Sequence, residues 1–212
     1  MDYSVVIPCA GMGKRMGLGY NKLLMKMENQ TLIEKTVKIF MQDPKCKQII
    51  LVISTHDEQD MNELFKKYPQ IEMTYGGKER QDSVYQGLLK VKEDYVLIHD
   101  GARPYLKQEF IDRLLTCLNE EEACLLMVKA KDTMKIVEDG YVKETIPRQN
   151  VMHAQTPQAF RTQTILKAHQ YAIEHHLEGT DDASLVEMMG IKVKVVEGDF
   201  ANIKITTMED LR

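Results

Sequence analysis

No stretch of the 212-residue sequence approaches the roughly 18 consecutive apolar residues that a membrane-spanning helix needs. The N-terminus also lacks a charged region leading into a long apolar core, so a cytoplasmic protein with no membrane partner is expected. Basic residues are not in excess: 28 Lys and Arg against 32 Asp and Glu leave a formal charge of −4, which argues against a general nucleic-acid binder. Any cation that matters must therefore act locally. The four cysteines, Cys9, Cys46, Cys117 and Cys124, show no CxxC spacing and sit mostly in apolar surroundings. They read as free thiols in a reducing compartment rather than as a disulfide frame or zinc site. No repeat, low-complexity tract or Pro- or Ser-rich linker marks a boundary, and the length suits one well-cored α/β domain over 1–212.

What is present begins with Val5-Val6-Ile7-Pro8-Cys9-Ala10-Gly11-Met12-Gly13-Lys14-Arg15-Met16-Gly17, followed by Asn21-Lys22. A short apolar run that stops at proline and opens into a glycine-rich loop with cations reads as a buried strand feeding an anion-binding turn. Thr31 to Glu34 has capping-box spacing ahead of Val37, Phe40 and Met41, which predicts a helix. Residues 48–54 predict a central strand, Met61, Leu64 and Phe65 a helix, and 71–75 a short strand. Gly76-Gly77-Lys78-Glu79-Arg80-Gln81-Asp82-Ser83 then forms a second strand-to-glycine-to-helix junction, as if both edges of a nucleotide cleft were present. A strand over 95–99 ends in Asp100-Gly101-Ala102-Arg103-Pro104, an arrangement that packing alone explains poorly. A helix over 107–119 and a strand over 123–128 follow, and then 133–137 and 141–145 flank Glu138-Asp139-Gly140 as a β-hairpin whose turn needs positive φ. The last third predicts a helix over about 162–175, a segment Thr180-Asp181-Asp182-Ala183-Ser184 running to Gly190, and a final strand pair. Over 202–206, alternation places Ile203 and Ile205 on one face and Asn202, Lys204 and Thr206 on the other.

The first loop has two lookalikes, and spacing excludes both. A Walker A loop needs four residues before its Gly-Lys-Ser/Thr, whereas Gly13-Lys14 is followed by Arg15 and lies too close to Gly11. A dinucleotide fingerprint needs glycine three residues after Gly13, where Met16 stands. What remains is a phosphate cradle with Arg15 and Lys22 placed to neutralise a polyphosphate, and Asp100 as a hard oxygen ligand for Mg²⁺. Such a set suits phosphoryl or nucleotidyl transfer. Lys14 reads as a solvated charge, and Arg80 stays open between surface charge and function. His99 stays open between core and catalytic roles, while His56, His169, His175 and His176 read as surface residues.

The blocks PCAGMGKRMG with NK, GGKERQDSVYQGL, HDGARP, KDTMK, HAQTPQAF, TDDASLVE and NIKITTMEDL run in order over essentially the whole chain. Together they resemble the 2-C-methyl-D-erythritol 4-phosphate cytidylyltransferases of non-mevalonate isoprenoid synthesis. The first loop alone is shared with sugar-phosphate nucleotidyltransferases. The resemblance implies a Rossmann-like three-layer α/β nucleotidyltransferase domain with a mixed, mostly parallel sheet and a projecting β-arm at about 132–152 that interlocks two subunits as a homodimer. It implies CTP and a polyol phosphate acceptor as substrates, with Mg²⁺ as cofactor. Carried over by motif, Arg15, Lys22 and Lys204 are the catalytic cations, and Asp100 is the metal ligand. Ala10, Gly11, Gly13, Gly77, Asp82 and Ser83 contact CTP. Arg103, Thr133, Arg148 and Thr180 serve the acceptor, with Thr133 and Arg148 acting across the dimer. Arg103 has an alternative role in holding the Asp100 loop, and Thr180 an alternative role as a helix cap; the Asp181-Asp182 pair is expected to line the acceptor pocket. The family also leads one to expect a terminal helix after Glu209-Asp210-Leu211, whereas the sequence given ends at Arg212; either it is truncated there or the helix is absent, and absence would bear on stability or dimer contacts and not on chemistry. Two other functions are weighed: a ribitol 5-phosphate cytidylyltransferase of wall teichoic acid synthesis, which HDGARP and TDDASLVE resemble less closely, and a non-catalytic nucleotide-binding regulator, which the presence of Arg15, Lys22, Asp100 and Lys204 disfavours.

Overall fold

Continuous β-branched and leucine runs build the centre of the molecule, as expected of strands covered on both faces. The computed structural model describes residues 1–11 and 19–211. Its main sheet is formed by β1 (Tyr3–Pro8), β4 (Cys46–Ile53), β5 (Ile71–Tyr75), β6 (Tyr95–Ile98), β7 (Ala123–Lys129), β10 (Met152–Arg161) and β11 (Lys194–Glu197). The seven strands lie in the order β11-β7-β10-β6-β1-β4-β5. Only β10 runs against the rest, pairing antiparallel with both β6 and β7. Helices α1 (Leu32–Met41), α2 (Glu58–Phe65) and α4 (Gln108–Cys117) cover one face; α3 (Arg80–Leu88), α5 (Thr162–Glu174) and α6 (Asp182–Met188) cover the other. The strands divide their side chains accordingly. Val5, Ile7, Ile49, Leu51 and Leu97 join the first layer, and Val6, Ile50, Val52, Val96 and Ile98 the second. Among the described residues no helix is long and apolar enough to cross a membrane.

The capping box reads directly from sequence to structure. Thr31 Oγ1 accepts the Glu34 N–H at 3.3 Å, and Glu34 Oε2 accepts the Thr31 N–H at 2.8 Å, which fixes where α1 begins. The hairpin pairs β8 (Met134–Glu138) with β9 (Tyr141–Ile146) as its own two-stranded sheet, and its turn residues Asp139 and Gly140 have φ of 50° and 83°. A further small ribbon joins β2 (Lys26–Met27) to β3 (Gln30–Thr31).

Three expectations need correction. The final strand pair is a single strand, β11; residues 202–206 are extended but belong to no ladder, and the predicted faces do not hold there. Asn202 is fully buried and Ile203 is exposed, because the Asn202 amide satisfies the Thr156 carbonyl at 2.9 Å. His169 is buried, not on the surface. Helix α6 is capped by Asp181, whose Oδ1 accepts the Ser184 N–H at 2.9 Å, and not by Thr180.

Close packing of α3 on the sheet rests on one glycine. A Cβ added to Gly87 would lie 2.5 Å from Val6 Cγ1 and 2.8 Å from Val52 Cγ2. Overpacking of this kind costs about 1–3 kcal/mol, more than the helix propensity that alanine brings. Gly87→Ala is therefore expected to lower unfolding free energy in urea by about 1–2 kcal/mol; an unchanged or higher midpoint would show that the interface has room.

Candidate active site

In an open α/β sheet ligands gather beyond the carboxyl ends of the strands, where neighbouring connections leave in opposite directions. Here β1 has β4 on one side and β6 on the other, and a cleft of about 410 Å³ opens beyond their ends. Pro8, Ala10 and Gly11 supply one wall, Gly77 to Arg80 with Ser83 another, and Asp100 to Ala102 the floor. Lys22, Lys204 and Thr206 close the remaining side.

Each wall is fixed by a local device. Ser83, on the first turn of α3, accepts the Gly77 N–H at 3.1 Å and donates to the Glu79 carbonyl at 3.0 Å, so one hydroxyl shapes the glycine loop. A side chain at Gly76 would collide with that hydroxyl, its Cβ lying 2.5 Å from Ser83 Oγ. Asn21 Nδ2 donates to the Cys9 carbonyl and to Asp57 Oδ2, each at 2.8 Å, while Asn21 Oδ1 accepts the Leu23 N–H at 3.1 Å. Those bonds tie the start of the Lys22 turn to the end of β1. Lys22 Nζ then donates to the Ile205 carbonyl at 2.7 Å, across 183 residues of sequence, and the Ile205 N–H donates to the Ala102 carbonyl at 2.8 Å. Both ends of the chain therefore meet over the floor.

Asp100 is the electrostatic centre of that floor. Its carboxylate lies 3.0 Å from Lys204 Nζ, 3.4 Å from Arg103 Nε and 3.8 Å from Arg80 Nη2. Burial by itself pushes this carboxyl up, but Lys204, Arg80 and Arg103 outweigh it and hold the group at about 2. Beneath it, the Asp100 N–H donates to Thr156 Oγ1 at 3.0 Å, and His99 Nδ1 lies 3.1 Å from the same oxygen. Burial pulls His99 down to about 4, so its ring is neutral near pH 7. Its Nε2 lies 3.1 Å from the Arg103 carbonyl, which can only accept; the proton is therefore on Nε2, and Thr156 donates to Nδ1. His99 is a satisfied core residue that braces the Asp100 loop.

Of the residues expected at the site, Ala10, Gly11, Lys22, Gly77, Ser83, Asp100 and Lys204 line the cleft. Gly13 and Arg15 lie outside the described residues. Asp82 is exposed and accepts the Glu79 N–H at 3.1 Å, capping α3. Arg103 sits behind Asp100 and donates from Nη1 to the Asn202 carbonyl at 2.7 Å, so its side chain holds two loops together. Thr133 and Arg148 are exposed at the base of the hairpin, where Arg148 donates to the Lys131 carbonyl at 3.0 Å. Thr180 is exposed outside the cleft lining, and Asp182 is buried against Arg80 instead of lining a pocket. Sequence reasoning left Arg80 open; its place in the glycine-rich junction beside Ser83 is the signal that pointed to it.

The sequence profile of the 2-C-methyl-D-erythritol 4-phosphate cytidylyltransferase family matches residues 3–212. A 2-C-methyl-D-erythritol 4-phosphate cytidylyltransferase from Bacillus licheniformis is 46% identical over 215 residues, spanning 100% of this chain and 93% of that protein. The enzyme of the same name from Bacillus pumilus is 46% identical, spanning 100% and 94%. Among solved structures, 4-diphosphocytidyl-2C-methyl-D-erythritol synthase from Anaerococcus prevotii superposes with a TM-score of 0.88 at 33% identity, covering 99% of this chain and 94% of that one. The cytidylyltransferase from Francisella tularensis gives 0.86 at 34% identity, covering 100% and 97%.

Proposed function

The chain belongs to the 2-C-methyl-D-erythritol 4-phosphate cytidylyltransferase family, and from that premise we propose how its cleft moves a cytidylyl group from CTP to 2-C-methyl-D-erythritol 4-phosphate. A phosphate oxygen of the acceptor attacks the α-phosphorus of CTP. As that bond forms, the bond to the β-phosphate breaks and pyrophosphate leaves, giving a diphosphate-linked cytidine product. In such transfers the protein mainly positions the reactants and offsets charge as it spreads over phosphate oxygens. The observation that carries this reading is the convergence of Lys22, Lys204 and Arg80 on the cleft around Asp100.

The backbone at Ala10 and Gly11 cradles phosphate, and Gly77 and Ser83 form the wall against which the nucleoside rests. Lys22 and Lys204 stabilise the transition state, a role that the family resemblance extends to Arg15 and, for the cradle, to Gly13. Asp82, which accepts the N–H of the α3 N-cap residue Glu79, acts on the nucleotide wall through the backbone it holds. Arg103 fixes the floor by pairing with Asp100.

Mg²⁺ suits the donor set. Asp100 offers one ionised carboxylate to the cleft, and no group of three or more His, Cys, Asp or Glu side chains among the described residues could form a metal cage. That chemistry matches an ion which keeps few protein ligands and completes its shell with substrate phosphates and water. Asp100 would hold it, and the bound ion would supply positive charge to the phosphates being separated.

The hairpin supports a homodimer. Its Val137, Tyr141 and Val142 are 60%, 80% and 61% exposed, an apolar surface suited to a second copy of the chain. Thr133 and Arg148, at its base, then serve the acceptor in the partner's cleft. Pyrophosphate release measured with CTP and each acceptor tests the assignment. Turnover with 2-C-methyl-D-erythritol 4-phosphate is expected; turnover with ribitol 5-phosphate and none with the erythritol would overturn it.

A further inference from the structure

Behind the cleft wall lies a polar cluster that the catalytic reading above leaves without a task. Asp182, at the start of α6, has a side chain only 1% exposed. Its Oδ2 accepts from Arg80 Nη2 at 2.8 Å, and its Oδ1 lies 3.7 Å from Nε2 of His169 on α5. His169 is equally buried and stacks on Tyr85 of α3, with ring centroids 5.7 Å apart. Neither of its ring nitrogens finds a hydrogen-bond partner among the described residues, so Nε2 meets the Asp182 carboxylate at ion-pair range and not through a hydrogen bond. One residue further along α3, Gln81 uses both ends of its amide on the same segment. Its Nε2 donates to the Leu177 carbonyl at 3.2 Å, and its Oε1 accepts the Gly179 N–H at 3.0 Å.

A buried carboxylate is costly unless a cation faces it, and burial here is outweighed mainly by Arg80, with His169 second. The relation also runs the other way. Arg80 is a long, rotamer-rich side chain with 36% exposure, and it would sample many positions without an anchor. The contacts Arg80 makes among the described residues, to Asp182 and to Asp100 at 3.8 Å, both use Nη2. Nε and Nη1 keep their donors for a phosphate in the cleft that Arg80 lines.

We infer that Asp182, backed by His169, is a positioning residue that aims Arg80 at the nucleotide triphosphate. The same contact joins the 177–182 segment to the nucleotide wall, with Gln81 as a second tie. The inference rests on the nucleotidyl-transfer reading of this cleft. It separates Asp182 from its neighbour Asp181, which caps α6 and accepts from Gln158 Nε2 at 2.6 Å.

The test is a double-mutant cycle between Asp182→Asn and Arg80→Ala, read in triphosphate affinity and in kcat/KM, with melting temperature followed in parallel. Affinity is measured with whichever ribonucleoside triphosphate the wild type binds most tightly, so an error in the base or acceptor does not touch this reading. Asp182→Asn is expected to weaken affinity and kcat/KM about tenfold in the wild-type background and less than twofold in the Arg80→Ala background, because residues acting through one another are not additive. His169→Gln, a milder change, should give a two- to threefold loss that also vanishes when Arg80 is alanine. Equal losses in both backgrounds would overturn the inference. So would variants that melt lower yet bind and turn over within twofold of wild type, since Asp182 would then be structural only.

Discussion

Lys204→Ala is expected to lower kcat at least a hundredfold while the protein remains folded. Lys204 Nζ is held 3.0 Å from Asp100 Oδ2 at the cleft floor, and its side chain is 37% exposed, so one contact fixes the ammonium while its other N–H donors can meet a ligand in the cleft. A preorganised cation aimed at charge that develops during reaction is worth about 3 kcal/mol, and that corresponds to the hundredfold loss. Stability should suffer much less. Arg103 and Arg80 remain beside Asp100, and a partly solvated ion pair contributes at most about 1 kcal/mol. Lys22→Ala is expected to match the kinetic loss, since Lys22 reaches the same site through the Ile205 carbonyl next to Lys204. The paired variant should be far from twice as impaired on a logarithmic scale, because both cations serve one charge distribution. Steady-state rates of pyrophosphate release decide the matter. Rates within fivefold of wild type for either single variant would remove that lysine from the mechanism.

The layers of the fold were legible because most elements carry strong local signals. Residues 49–53 have no polar face to offer water, and Thr31 and Glu34 announce α1 by their spacing. Strand β10 escaped because Pro157 interrupts it, and proline in a central strand normally argues against that assignment. The structure resolves the conflict with a register break between Ala154 and Gln158, where the ladder with β7 asks for no N–H from Pro157. The site divides in the same way. Asp100 and Lys22 could be found because each follows a strand end or glycine loop in which a charge is out of place. Arg80 could not be decided locally, since its partner Asp182 is 102 residues away. His169 reads as a solvated residue in its own helix and becomes buried only when α5 packs beside Asp182 and Tyr85. Thr133 and Arg148 act, on the proposed reading, in a second copy of the chain, which no single-chain pattern can display.

Asp100→Asn is expected to damage stability and turnover together, with a pH signature that identifies the cause. The variant keeps the shape of the side chain but leaves Lys204, Arg103 and Arg80 without the carboxylate they share. The folded-state carboxyl sits near 2 against an ordinary 3.8, a difference worth about 2 kcal/mol of folding free energy. Because the folded value is the lower one, that stabilisation is fully present above about pH 4 and is lost as pH falls through about 2. Urea unfolding of the two proteins side by side should thus show a gap of about 2 kcal/mol at pH 7 that shrinks to a few tenths near pH 2. Other carboxylates also protonate over this range, but they do so in both proteins and cancel in the difference. A gap that stays constant with pH would mean the asparagine harms packing and that Asp100's charge is not what holds the floor. At pH 7, kcat/KM for CTP should fall at least a hundredfold, since the side chain that organises the cations, and would hold Mg²⁺, has lost its charge. Near-normal turnover at saturating Mg²⁺ would leave Asp100 as a structural anchor and move the metal to the phosphates alone.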